Sequence, residues 1–127
     1  LSARTGTRAD RLAHSFQAGH VPWSERHEVR PDLLVNTTPL GMSGPFQALS
    51  PWKGPLTGIS LVYDLVYTPK ETPLLLQAAH EGVEVIHGLP MFVSQGLAQF
   101  ERWTGRRFPL PAAVALLEET LAARCKA

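Results

Sequence analysis

The sequence is poor in cysteine and in net charge, and it has no long apolar run. Its one cysteine, Cys125, cannot form a disulfide framework or a cysteine-based zinc site, and it favours a reducing compartment. A formal net charge of +1 gives no general attraction to nucleic acid or anionic lipid. No stretch reaches the roughly 20 apolar residues of a membrane span, and no signal peptide is visible. These absences predict a cytoplasmic protein without nucleic-acid or membrane partners.

Several classes of catalytic site also lack their motifs. The five histidines show no metal-ligand spacing, so we predict no metal site. No phosphate-binding P-loop motif is present, and no Ser-His-Asp arrangement has supporting spacing. The chain opens with Leu1 in place of an initiator methionine, which we interpret as the start of a fragment.

Short apolar runs alternate with helical patterns along the chain. This alternation predicts βα units and a parallel sheet flanked by helices. The expected strands are 32–36, 60–67 and 83–86, with a strand stub before Arg4. The expected helices are 7–17, one capped by Thr72 and ended near Gly82, 90–104, and one opened by Pro111. A loop over 43–58 is unusually long, and loops of that length are often functional.

Two of these helices carry apolar residues at helical spacing, which predicts that each buries one face. The residues are Ala9, Leu12, Ala13 and Phe16 in the first helix, and Val93, Leu97, Phe100 and Trp103 in the third.

Two arginines and two hydroxyl groups stand where the first helix begins, within 4–8. Arginine offers forked donors and a helix N-terminus adds backbone N–H groups, so this segment can hold a phosphate. NAD-binding folds place an acidic residue near this position, whereas an arginine there accommodates the 2′-phosphate of NADP. Arg4 occupies the position, and the nearest acid, Asp10, is already inside the helix. The alternative interpretation is a solvated helix start with surface arginines.

Polar residues follow the ends of the predicted strands, where open α/β sheets bind ligands. The segment 36–39 would meet a nicotinamide, or it would merely cap a turn. Tyr67 would offer its hydroxyl to a ligand, or pack at the rim of the core. Gly88 would let a molecule approach the backbone, or form a plain turn. Gln95 and Gln99 would contact a polyhydroxylated substrate, or form a wet helix face.

Three segments together resemble the shikimate dehydrogenase family. Residues 35–42 (Val-Asn-Thr-Thr-Pro-Leu-Gly-Met) are similar to its Asn-x-Thr-Pro-x-Gly-Met segment. Residues 63–67 (Tyr-Asp-Leu-Val-Tyr) and 88–96 (Gly-Leu-Pro-Met-Phe-Val-Ser-Gln-Gly) resemble the two signatures that follow. The order and spacing agree across nearly the whole chain.

The resemblance implies a Rossmann-like NADP-binding domain of an enzyme that reduces 3-dehydroshikimate to shikimate in aromatic amino-acid biosynthesis. It assigns the 2′-phosphate of NADP to Arg4, Thr5 and Arg8, with Ala3 in place of the family's asparagine. It assigns the nicotinamide to Thr38, Leu65, Gly88 and Met91, and the substrate to Tyr67 and Gln95. Pro90 stands where many relatives have glycine.

The resemblance also implies what residues 1–127 do not contain. The family's first strand, glycine-rich pyrophosphate loop and N-terminal substrate domain have no counterpart. The same is true of its catalytic lysine and aspartate, because Lys53 and Lys70 lie in other segments. We therefore expect a partial domain with no catalytic residue, inactive by itself and a weak binder of NADP. A homodimer would cover the edge of the sheet that the missing first strand leaves open. The alternatives are an NAD-using quinate/shikimate dehydrogenase and a non-catalytic nucleotide-binding module.

Overall fold

The computed structural model describes residues 1–124 and shows an α/β fold, as predicted, whereas Cys125 lies outside the described residues. The described elements are, in chain order, α1 (Gly6–Ser15), a 3₁₀ turn (Trp23–Glu25), β1 (Leu33–Asn36), β2 (Leu61–Asp64), α2 (Pro73–His80), β3 (Glu84–Ile86), α3 (Gly88–Thr104) and α4 (Leu110–Arg124). The predicted long loop between β1 and β2 is confirmed, since 43–58 contains no helix or strand.

The three described strands form one parallel sheet in the order β1-β2-β3, which confirms the predicted class. Asn36 of β1 stands opposite Asp64 of β2, at the carboxyl ends of both strands. The prediction that β2 extends to Tyr67 is wrong. The strand ends at Asp64, whose carboxylate Oδ1 accepts a hydrogen bond from the backbone N–H of Val66 at 3.0 Å. This local bond turns the chain out of the ladder.

The strand stub predicted before Arg4 is also wrong, because the described residues there form no strand. Leu1 instead contacts the segment after α1, where its carbonyl accepts from the Val21 N–H at 2.9 Å. The Leu1 ammonium also donates to the Gly19 carbonyl at 2.8 Å, but two bonds made by one residue do not extend into a strand ladder.

The core lies between the sheet and α2. Val62 of β2 packs with three residues of α2 and three of the segment that precedes β2, namely Leu74, Leu75, Ala78, Trp52, Leu56 and Ile59. The predicted cap of α2 is confirmed: Thr72 Oγ1 accepts from the Leu75 N–H at 3.3 Å, and Pro73 is the first helical residue. The cap satisfies a free N–H of the first turn, and proline there costs no hydrogen bond.

The opposite face of the sheet is only partly covered by the described residues. Leu33, Val35 and Ile86 are all exposed there. The predicted apolar faces of α1 and α3 are wrong at their ends, because Phe16 is 76% exposed and Trp103 is 78% exposed. The buried residues of α1 are Ala9 and Ala13, and those of α3 are Gly88, Leu89 and Val93, toward the start of that helix.

A carboxylate joins the end of α2 to the long loop. Glu81 accepts from the backbone N–H of Leu56 at 2.7 Å and from Gln77 Nε2 at 2.8 Å. These hydrogen bonds, with that from Gln77 the larger effect, hold the pKa of Glu81 below its ordinary value. The contact fixes the loop residue Leu56 over the core.

Gly88 allows the start of α3 to approach the end of β2. A Cβ atom on this residue would lie 2.4 Å from the carbonyl oxygen of Leu65 and 2.8 Å from that of Asp64. Both neighbours are backbone atoms, so neither moves away as a flexible side chain would. Glycine is therefore required here by packing within the chain.

We predict that Gly88→Ala destabilises the fold by about 1–3 kcal/mol, the usual cost of overpacking. Gly96→Ala, in the same helix with open space at its Cβ, is the matched control and should be neutral or stabilising by up to about 1 kcal/mol. Urea unfolding followed by circular dichroism measures both. Equal stability of the two variants would contradict the packing role of Gly88.

Candidate functional site

A buried polar network joins the carboxyl ends of β1 and β2 to the start of α2. Asp64 Oδ1 accepts from Asn36 Nδ2 at 2.9 Å, and Asp64 Oδ2 accepts from Thr72 Oγ1 at 2.7 Å. Asn36, Asp64 and Thr72 are all buried. A buried charge is tolerated only where hydrogen bonds replace its water, and this carboxylate accepts three of them when the Val66 N–H is included. We call this cluster the Asn36–Asp64–Thr72 network.

The network extends to Thr38, a predicted site residue. Asn36 Oδ1 accepts from the Thr38 N–H at 2.9 Å and from Thr38 Oγ1 at 2.7 Å. Thr38 Oγ1 in turn accepts from the Leu40 N–H at 3.2 Å. The side chains of the 36–39 segment thus cap the turn, and Thr38 also borders the two cavities described below.

The first cavity, of about 390 Å³, lies between the start of α1 and the turn after β1. Four of the predicted cofactor residues line it together: Arg4, Thr5, Arg8 and Thr38. Thr38 lies far from the other three in sequence, and the fold brings all four to one surface. The cavity's lining combines two cationic side chains with the apolar residues Trp23, Pro39, Leu40 and Phe46.

The second cavity, of about 360 Å³, lies beyond the ends of β1 and β2. Leu65 and Tyr67 line it, and it shares Thr38 and Pro39 with the first cavity. The two cavities thus meet at the Thr38–Pro39 turn. An elongated ligand lying across this turn would touch the arginines at one end and Tyr67 at the other.

The other predicted residues lie outside both cavities. Gly88 is packed against the backbone of β2's end, and Met91 is exposed on α3. Gln95 lines a groove between α3 and α4, and its Nε2 donates to the Phe92 carbonyl at 2.9 Å within its own helix. Tyr67 is linked to the same helix, since its ring stacks on that of Phe92 with centroids 4.2 Å apart.

The start of α1 is suited to an anion. Thr5 occupies the N-cap position but makes no side-chain capping bond, and the first turn contains no acidic residue. Its hydroxyl is thus available to a ligand, and the helix dipole favours negative charge there. The nearest acid on the helix, Asp10, faces His20 at 3.7 Å and does not line the cavity.

Sequence reasoning missed two aromatic residues of the first cavity, Trp23 and Phe46. Trp23 begins a short 3₁₀ turn and Phe46 lies in the long loop, where periodicity gives no signal. It also missed the pairing of Asn36 with Asp64 across the strands, although polar residues ending two apolar strands are a usable signal. Within residues 1–124, no group of three or more potential metal ligands occurs, and no helix has the length and hydropathy of a membrane span.

A parallel sheet with helices and with cavities at the carboxyl ends of its strands defines a Rossmann-like α/β protein. A family model described as the Shikimate 5'-dehydrogenase C-terminal domain matches residues 88–118. A shikimate dehydrogenase (NADP(+)) of Oleidesulfovibrio alaskensis is 46% identical over 128 aligned residues, which cover 98% of this chain and 46% of that protein.

Solved structures give the same result. The chorismate mutase/shikimate 5-dehydrogenase fusion protein of Clostridium acetobutylicum superposes with a TM-score of 0.80 at 27% identity, over 95% of this chain and 45% of that one. Shikimate 5-dehydrogenase of Thermus thermophilus, in complex with NADP(H) and shikimate, superposes with a TM-score of 0.75 at 36% identity. The match covers 90% of this chain and 42% of that one. The chain belongs to the shikimate dehydrogenase family, and it spans about half the length of the relatives it matches.

We predict that Asp64→Asn destabilises the fold by about 2–4 kcal/mol, because an amide cannot accept all the donors that surround this carboxylate. Asp10→Asn, at an exposed position on α1, is the matched control and should change stability by no more than about 0.5 kcal/mol. Chemical unfolding of both variants tests this. An Asp64→Asn variant as stable as the control would show that the network does not hold the sheet to α2.

Proposed function

We propose that this chain is the cofactor-binding part of an NADP-dependent shikimate dehydrogenase, the enzyme that reduces 3-dehydroshikimate to shikimate in aromatic amino-acid biosynthesis. The observation that carries the proposal is the pair of cavities meeting at Thr38: one contains Arg4, Thr5 and Arg8, and the other contains Tyr67. The names of the relatives support it, since the Oleidesulfovibrio protein is a shikimate dehydrogenase (NADP(+)).

The first cavity fits the phosphorylated cofactor better than NAD. Arg4 and Arg8 supply positive charge, Thr5 supplies a hydroxyl, and none of the residues lining the cavity is acidic. A carboxylate is the group that binds a free ribose 2′-OH, whereas arginine binds a 2′-phosphate. Ala3 lines the same cavity and offers no side-chain hydrogen bond. The lining therefore argues against the NAD-using alternative.

The second cavity is assigned to the nicotinamide and the substrate. Thr38 and Leu65 would contact the ring, with Gly88 and Met91 approaching from the start of α3. Tyr67 would donate a hydrogen bond from its hydroxyl to the substrate. Gln95 would also contact the substrate once its Nε2 releases the Phe92 carbonyl. NADPH, when bound, supplies the hydride that passes to the substrate carbonyl carbon. The residues of this chain bind and orient the two reactants.

The chain itself supplies no proton-transfer residue in this proposal. The family's catalytic lysine and aspartate belong to the N-terminal substrate domain, and residues 1–127 correspond to part of the NADP-binding domain with its C-terminal helices. We place the enzyme in the cytoplasm, on the strength of its single cysteine.

Arg4→Asp in the full-length enzyme tests the cofactor assignment. Loss of one charge-assisted contact and addition of a like charge should raise the Kd for NADP⁺ by about ten- to a hundredfold. The Kd for NAD⁺ should change by less than about threefold, since NAD lacks the 2′-phosphate. Arg11→Asp is the matched control, because Arg11 is an exposed residue of the same helix outside the cavity. Equal effects of Arg4→Asp on both cofactors would count against the assignment.

Activity measurements test whether the proton-transfer residues lie outside this chain. Full-length enzyme should form NADPH from NADP⁺ when shikimate is added, and the isolated 127 residues should form none, because the proton-transfer pair is absent from them. Turnover by the isolated chain would overturn the placement of the catalytic residues. No turnover by the full-length protein would favour the nucleotide-binding module over the enzyme.

A further inference from the structure

Phe92 contacts both residues to which the proposed function assigns the substrate. Its ring stacks on that of Tyr67, with the centroids 4.2 Å apart and an angle of 17° between the planes. Its backbone carbonyl accepts a hydrogen bond from Gln95 Nε2 at 2.9 Å. Tyr67 lines the second cavity, whereas Phe92 and Gln95 line the groove between α3 and α4. The stacked rings therefore link the second cavity to that groove.

The helix holds Phe92 in a fixed position. Phe92 lies in α3 between Leu89 and Val93, which are both buried, and is itself half-buried. Stacking of two aromatic rings is favourable beyond the apolar area that it buries. A ring that projects from an anchored part of a helix thus gives the Tyr67 ring a rigid surface to pack on.

The backbone on either side of Tyr67 is also held in place. The N–H of Val66 donates to the buried carboxylate at the end of β2 at 3.0 Å. The carbonyl of Thr68 accepts from the Ser43 N–H at 2.8 Å. The freedom that remains to Tyr67 is rotation of its side chain, and the contact with Phe92 restricts that rotation. The stacked ring therefore determines where the Tyr67 hydroxyl lies.

We propose that Phe92 is a positioning residue for substrate binding, whose ring holds the Tyr67 hydroxyl in the orientation that bonds shikimate. The inference rests on the proposed function, in which Tyr67 contacts the substrate. A side chain that is oriented before binding loses less rotational freedom when the ligand arrives. Phe92 acts through Tyr67 and needs no contact of its own with shikimate.

A double-mutant cycle in the full-length enzyme tests this, with the Kd for shikimate as the readout. Phe92→Leu keeps an apolar side chain but removes the stacked ring, and it should raise the Kd about two- to tenfold, the range for one side chain that must be ordered on binding. Tyr67→Phe keeps the stack and lacks the hydroxyl. In that background Phe92→Leu should change the Kd by less than about twofold. Phe100→Leu, at an exposed position of the same helix outside the groove, is the matched control and should leave the Kd unchanged in both backgrounds.

The outcomes separate the inference from the proposed function. An equal rise in both backgrounds would show that the Phe92 ring does not act through the hydroxyl, and it would overturn the inference. Normal shikimate binding by Phe92→Leu, combined with weak binding by Tyr67→Phe, would also overturn it. Both results leave the proposed function intact. Normal binding by Tyr67→Phe would overturn the inference together with the substrate contact assigned to Tyr67.

A second measurement observes the unmodified enzyme by NMR, so it does not depend on the folding of Phe92→Leu. With tyrosine ¹³C-labelled in its ring, the signals of Tyr67 are identified by their loss in Tyr67→Phe. The facing ring of Phe92 should shift the proton signals upfield of those of free tyrosine, both without and with shikimate. Signals of Tyr67 at the position of free tyrosine would overturn the inference.

Discussion

The structure depends on the burial of one carboxylate at the end of the central strand. Asp64 accepts hydrogen bonds from β1, from the turn after β2 and from the cap of α2. Each of these donors belongs to a different segment, so the carboxylate aligns three segments, and beside it the Leu65 N–H donates to the Asn36 carbonyl at 3.0 Å. An unpaired charge there would be very unfavourable, whereas a fully paired one fixes a single arrangement. The carboxylate contacts the cap of α2 directly and Thr38 through Asn36.

Some side chains both stabilise the sheet and border the cavities. The parallel strands end at one edge, and the residues that close the sheet there also form the walls of the cavities. Asn36 illustrates the overlap, since its amide holds β1 to β2 on one side and the Thr38 hydroxyl on the other. Gly88 also serves close packing, because its missing Cβ makes room for the chain's own backbone. A residue that matches a binding motif can therefore have a structural role as well.

Much of the fold could be predicted from the sequence, because hydrophobic periodicity and the residues that begin and end helices are local signals. Thr72 and Pro73 predict the start of α2, and an apolar run predicts the buried strand β2. The assembly of Arg4 with Thr38 was predictable only through family resemblance, since no spacing rule links them. Trp23, Phe46 and the exposure of Trp103 could not be predicted, because they depend on which elements come to lie against them. The end of β2 at Asp64 required knowing that its side chain bonds Val66.

The network has a consequence for the motions of the site. The backbone N–H groups of Thr38, Leu40 and Val66 bond to side chains of the network rather than to a neighbouring strand. Opening any one of them requires the side chains to release it, and the bond from Asn36 to Asp64 spans 28 residues of sequence. These amides should exchange with solvent as one cooperative unit, not as a fraying turn. A molecule held at Thr38 therefore slows an opening that extends from β1 to α2, so that occupancy of the site and rigidity of the sheet rise together.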